Sequence, residues 1–176
     1  ESAPLHSDAP RSELEPSFSA NGRYHAYSQN TGNLSVKLVI RDDKEQKNAE
    51  LVPQGRGGMR SPAFSPDSTL VAYCFAETGP QHIFLVTPQA KEKRQLTSGR
   101  GIHNWPTFTP DGERIVFSSS REGDFEIYSI NLAGEDLRRL TTSPRQDIRP
   151  RVSPDGTRIV FASSRNGDQE IYVMDL

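Results

Sequence analysis

The segment Ser61-Pro-Ala-Phe-Ser-Pro-Asp-Ser68 returns as Trp105-Pro-Thr-Phe-Thr-Pro-Asp-Gly112 and again as Arg149-Pro-Arg-Val-Ser-Pro-Asp-Gly156. The first prolines, Pro62, Pro106 and Pro150, stand 44 residues apart, and a degenerate copy, Glu15-Pro-Ser-Phe-Ser-Ala-Asn-Gly22, places Pro16 46 residues ahead of Pro62. The 176 residues thus hold four units, near 9–53, 54–98, 99–142 and 143–176, with residues 1–8 left over. The last two also agree along Arg114-Ile-Val-Phe-Ser-Ser-Ser-Arg-Glu-Gly-Asp-Phe-Glu-Ile-Tyr128 and Arg158-Ile-Val-Phe-Ala-Ser-Ser-Arg-Asn-Gly-Asp-Gln-Glu-Ile-Tyr172. A unit this short does not bury its own apolar residues, so the copies must cover one another.

Each unit reads as four short strands, runs of β-branched and aromatic residues bounded by turn formers. In the third unit the runs are 104–109, 114–119, 125–132 and 137–141. Thr109-Pro-Asp-Gly112 is a hairpin turn: proline presets φ, and glycine accepts the left-handed conformation that follows. A second hairpin is expected at Arg121-Glu-Gly-Asp124 and at Arg165-Asn-Gly-Asp168. No stretch has helical periodicity with caps, so no helix is expected. Ile127 and Tyr128 point to opposite faces of their strand, so each sheet needs a partner on both sides. Four-stranded antiparallel units of this length predict an all-β fold, a β-propeller of four-stranded blades around a channel; a solenoid of stacked sheets is the alternative. The Pro-Asp-Gly motifs are read as turn formers without chemistry.

Apolar side chains make up 33% of the chain, and its 13 glycines raise the sum only to about 40%, short of the roughly 45–50% of globular domains. Small cores between sheets fit that composition better than one large core. A net charge of −2 excludes bulk attraction to nucleic acid or anionic membranes. The longest apolar runs, 82–86 and 114–117, are far too short to cross a bilayer as helices. Glu1-Ser-Ala-Pro4 lacks the features of a signal peptide, which would therefore have been removed or lie outside this sequence. Cys74 is the single cysteine, expected to fill a strand interior as a small hydrophobe. His6, His25, His82 and His103 fall in different parts of the chain without ligand-like spacing, so neither a metal nor another cofactor is expected. Nucleophile elbows, phosphate-cradling glycine loops and His-Glu-x-x-His are all absent, so the chain is expected not to be an enzyme.

The series Pro-x-Phe/Val-Ser/Thr-Pro-Asp-Gly, Arg-Ile-Val-Phe, Ser-Ser-Arg-x-Gly-Asp and Glu-Ile-Tyr resembles the WD-repeat-like blade of the TolB propeller family, strongly from Ser61 onward. Ala20 and Asn21 replace the Pro-Asp pair, Ser68 replaces a glycine, and Glu77 stands where Arg121 and Arg165 stand later. The last unit stops after its third strand. Either residues 3–7 supply the missing outer strand and close the ring, or the four blades belong to a larger one. In a propeller, the entry to each inner strand and the second hairpin emerge on one face. That face is expected to gather His103, Trp105, Arg121, Asp147, Arg149 and Arg165 at the channel mouth as a binding site. Asp147 has the further reading of a brace for its loop, and Trp105 that of packing between blades. The resemblance implies a noncatalytic platform outside the cytoplasm, binding envelope proteins or a small ligand, with no nucleic acid and no membrane insertion. The alternatives are the gating propeller of a prolyl-oligopeptidase-type serine peptidase and a propeller enzyme acting on polysaccharide.

Overall fold

The computed structural model describes residues 13–31, 34–54, 56–76 and 79–176. The proposed closing strand at 3–7 and the substitution at Glu77 lie outside them. The described residues form fifteen strands and no helix. The first blade comprises β1 (Glu13–Phe18), β2 (Tyr24–Asn30), β3 (Val36–Asp42) and β4 (Lys47–Leu51). The second comprises β5 (Gly58–Phe64), β6 (Val71–Ala76), β7 (His82–Val86) and β8 (Arg94–Gln95). The third is β9 (His103–Phe108), β10 (Arg114–Ser119), β11 (Glu126–Asn131) and β12 (Arg138–Arg139), and the fourth is β13 (Asp147–Val152), β14 (Arg158–Ser163) and β15 (Glu170–Asp175). Neighbouring strands within every blade are antiparallel, and a single parallel bridge, Val36 to Gly58, joins the first two blades. Expected and observed strands of the third unit coincide to within a few residues, except that its outer strand shrinks to Arg138–Arg139.

Alternation along the strands splits the apolar residues among three cores, each lying between two blades. In β6, Val71, Tyr73 and Phe75 face Ala26, Leu38 and Ile40 of the first blade, whereas Ala72 and Cys74 face Phe108, Ile115 and Phe117 of the third. In β11, Tyr128 and Ile130 join that second core, and Ile127 turns the other way to meet Ile159 and Phe161 of the fourth blade. Buried faces on both sides of each middle sheet require this division. The blades are successive layers of a propeller.

The turn motif locks the first hairpin of each repeat. Ser65, Thr109 and Ser153 donate their hydroxyls to Asp67, Asp111 and Asp155 at 2.6, 2.5 and 2.5 Å. The same hydroxyls accept the amides of Leu70, Arg114 and Arg158. Ser19 and Asn21 reproduce the pair in the degenerate first copy at 2.8 Å. These bonds favour the charged carboxylate: the Ser153 hydroxyl, ahead of the Thr157 amide and hydroxyl, holds Asp155 down at about 2. Ser68 takes φ +63°, close to the +74° of Gly112 and Gly156 at the same place.

Candidate functional site

The first strands of the four blades, β1, β5, β9 and β13, lie side by side as the inner wall. Each is broken by a bulge at one place in the repeat, and the residue just before the first proline takes the left-handed conformation. Glu15, Ser61, Trp105 and Arg149 have φ values of 57°, 52°, 52° and 57°, and the register shifts fall across these residues in every blade. Left-handed backbone costs a non-glycine residue on the order of 1–2 kcal/mol. A bulge re-aims a side chain. Here it is repeated four times so that one residue per blade faces a common cleft.

That cleft has a volume of about 330 Å³ and is lined by Glu15, Ser61, Trp105, Arg149 and Arg151 together with Pro16, Pro62 and Pro106. The amides at two of these bulges are captured by the preceding blade. Ser61 donates its amide to Glu15 Oε2 at 2.8 Å, and Arg149 donates its amide to Ser118 Oγ at 3.1 Å. Cys74 and Ser118 are equivalent positions on the second strands of their blades. Cys74 is fully buried, and burial pushes its thiol up to about 12, so it serves as apolar filling rather than as a nucleophile. Within the cleft the Arg149 guanidinium lies over the Trp105 indole, 5.4 Å from its centre, and the indole leans on Phe125 at 5.9 Å.

The six residues expected at the channel mouth divide into three environments. Trp105 and Arg149 line the cleft. Asp147 and His103 are completely buried at the entries to their strands, where their amides donate to Phe125 and Gln81 of the preceding blade. Asp147 Oδ2 accepts from Arg165 at 2.8 Å, which ties it to its own repeat's hairpin rather than to a neighbouring one. His103 stacks on His82 at 5.1 Å between ring centres, and among the described residues neither of its ring nitrogens has a hydrogen-bond partner. Burial first, then Arg121 and His82, lowers the His103 pKa to about 4. Arg121 donates to the Ser98 carbonyl at 2.8 Å, and Arg165 lies over the Tyr172 ring at 4.4 Å.

Glu15, Ser61 and Arg151 complete the cleft but escaped the sequence reading. A signal existed for the first two: in the aligned repeats the residue before the first proline varies as Glu, Ser, Trp and Arg between near-constant neighbours. A comparable volume of about 340 Å³ opens near the outer strands of the first blade, beside Arg23 and Asp42, but those two are already paired at 2.6 Å. Among the described residues no three His, Cys, Asp or Glu side chains gather as a metal-binding group.

The family model described as the TolB beta propeller domain matches residues 5–176. No curated protein matches the sequence. Among solved structures, TolB from Acinetobacter baumannii aligns with a TM-score of 0.77 at 21% identity, over 93% of this chain and 41% of that one. The hydrazine synthase of Kuenenia stuttgartiensis aligns with a TM-score of 0.71 at 20% identity, over 98% of this chain and 48% of the other. An oligogalacturonate lyase in complex with manganese aligns at 0.66 with 17% identity, over 88% and 45%. The chain therefore spans less than half of each of these proteins, and at such identities the likeness is one of fold.

Proposed function

This chain belongs to the TolB beta propeller domain family, and from that premise we propose that it is a noncatalytic binding platform of the bacterial cell envelope whose ligands enter the cleft of its inner wall. The supporting observation is the ring of four left-handed residues, Glu15, Ser61, Trp105 and Arg149, all turned toward one space. Backbone strain at one repeated position is retained where its product, a side chain aimed at a ligand, is worth the cost. An aromatic ring and an arginine at the centre of a cleft are also the residue types that dominate recognition. Family kinship supports the extracytoplasmic setting and protein partners.

Photocrosslinking tests the reading. A benzophenone side chain placed at Ser61, in the cleft wall, is expected to form a discrete adduct in an envelope extract, and one placed at exposed Glu92 on the outer rim is not. Equal labelling from both positions, or none from Ser61, would overturn the platform. Turnover of chromogenic peptidase, esterase or glycosidase substrates that survives further purification would overturn its noncatalytic character.

A further inference from the structure

Charge is distributed unevenly around the cleft, and the following inference rests on the platform reading. Among the described residues Glu15 is the only acid in the lining, and both of its oxygens are occupied. Oε2 accepts the Ser28 hydroxyl at 3.2 Å and the Ser61 amide at 2.8 Å, while Oε1 accepts the Ser61 hydroxyl at 3.1 Å. Internal donors thus already engage both carboxylate oxygens. Arg149 and Arg151 are exposed, and among the described residues neither is ion-paired with a carboxylate. The face of the Arg149 guanidinium is spent on the indole, which leaves its in-plane N–H donors for a further acceptor.

We propose that the cleft binds a carboxylate carried on an extended peptide segment, held by Arg149 and Arg151 and flanked by the Trp105 indole. Two cations with no carboxylate partner among the described residues outnumber one carboxylate whose oxygens are already engaged by internal donors, and so favour an anion over a cation. A planar guanidinium matches a carboxylate in two-point geometry. The walls of Pro16, Pro62 and Pro106 offer apolar surface to the chain on either side of the charge. A volume of about 330 Å³ lies at the small end of ligand pockets and suits a short segment.

Trp105 is the only tryptophan, so intrinsic fluorescence reports on the cleft directly. The titrants are acetyl-Pro-Glu-Pro-Glu-amide, its Gln and Lys counterparts, and free glutarate. The Glu peptide is expected to give a saturable change, with at least tenfold weaker binding of the other three. R149Q and R151Q should each weaken it at least threefold, and the double variant should erase the preference for Glu over Gln. Urea midpoints should stay at the parent value, since both side chains are exposed. Equal affinity for the Glu and Gln peptides, or tighter binding of the Lys peptide, would overturn carboxylate selection and leave the platform standing. Glutarate binding as well as the peptide would overturn the peptide half. No response to any titrant, with crosslinking from Ser61 still positive, would sink this inference alone; with crosslinking negative, both readings fail.

Discussion

His103 and Asp147 stand at the same place in consecutive repeats, and both are fully buried, yet they meet burial in opposite ways. A carboxylate in a dry seam needs a counter-ion, and Arg165 provides it. An imidazole can shed its charge instead. Arg121, the counterpart of Arg165, donates to Ser98, and His103 is held neutral with a pKa lowered to about 4. Its unfolded value is near 6.5, so between these values the unfolded chain binds the proton more tightly. The stabilising effect of neutral His103 is complete above pH 6.5 and is lost as pH falls from 6.5 toward 4. At about 1.4 kcal/mol per unit of pKa, the loss over that window is on the order of 3 kcal/mol. Met59 fills the equivalent position in the second blade. His103→Met is therefore expected to flatten this part of the acid dependence, measured as the difference in urea unfolding free energy between pH 7 and pH 4.5. Identical pH slopes in parent and variant would refute the account.

At the scale of elements, two glycines in left-handed turns carry different loads. Gly112 closes the Thr-Pro-Asp-Gly turn at φ +74°, and a Cβ there would meet nothing nearer than Pro66 Cδ at 3.8 Å. Gly101, at φ +82° ahead of β9, presses on the backbone of the adjoining hairpin, where a Cβ would lie 2.7 Å from both the Arg121 nitrogen and the Ser120 carbonyl carbon. Gly112→Ala should cost only the conformational penalty, about 1–2 kcal/mol. Gly101→Ala adds a backbone collision and should cost about 3 kcal/mol or more. Chemical unfolding of the two variants checks the order, and equal costs would mean that the loop before β9 yields freely. The turn at Gly112 was legible because Pro-Asp-Gly is local chemistry. Nothing in the sequence around Gly101 shows that a hairpin nineteen or twenty residues later lies against it.

Across the whole molecule, the blade interfaces do not extend to the ends. Ile127 and Ile171 occupy equivalent positions in the third and fourth repeats, opposite Ser118 and Ala162. The fourth blade covers Ile127 completely, while Ile171 is 71% exposed beside Val173 at 60%. The first blade shows the reciprocal open face, with Phe18 62% exposed. Among the described residues, the first and fourth blades share no extended strand-to-strand packing. Ile127→Ala should destabilise by about 2–5 kcal/mol through the cavity it leaves. Ile171→Ala should change stability by no more than about 0.5 kcal/mol, as surface substitutions do. A comparable loss at both positions, read from thermal unfolding, would show that the outer face of β15 is covered in solution.

The sequence by itself determined the repeat, the strand alternation and the turn chemistry, hence the blade and the propeller class, because each depends on residues close together in the chain. It also marked Trp105 and Arg149, which sit in the repeat motif. Tertiary structure alone decided which candidates share a site. Burial removed His103 and Asp147 to the seams, while four distant bulges brought Glu15, Ser61, Trp105 and Arg149 around one cleft with Arg151. The same packing decided that Ile127 is core and Ile171 is surface, although their local sequences are nearly identical. Coverage by a neighbouring blade, and the convergence of residues 44 or more positions apart, belong to the assembled sheets, and no local pattern encodes them.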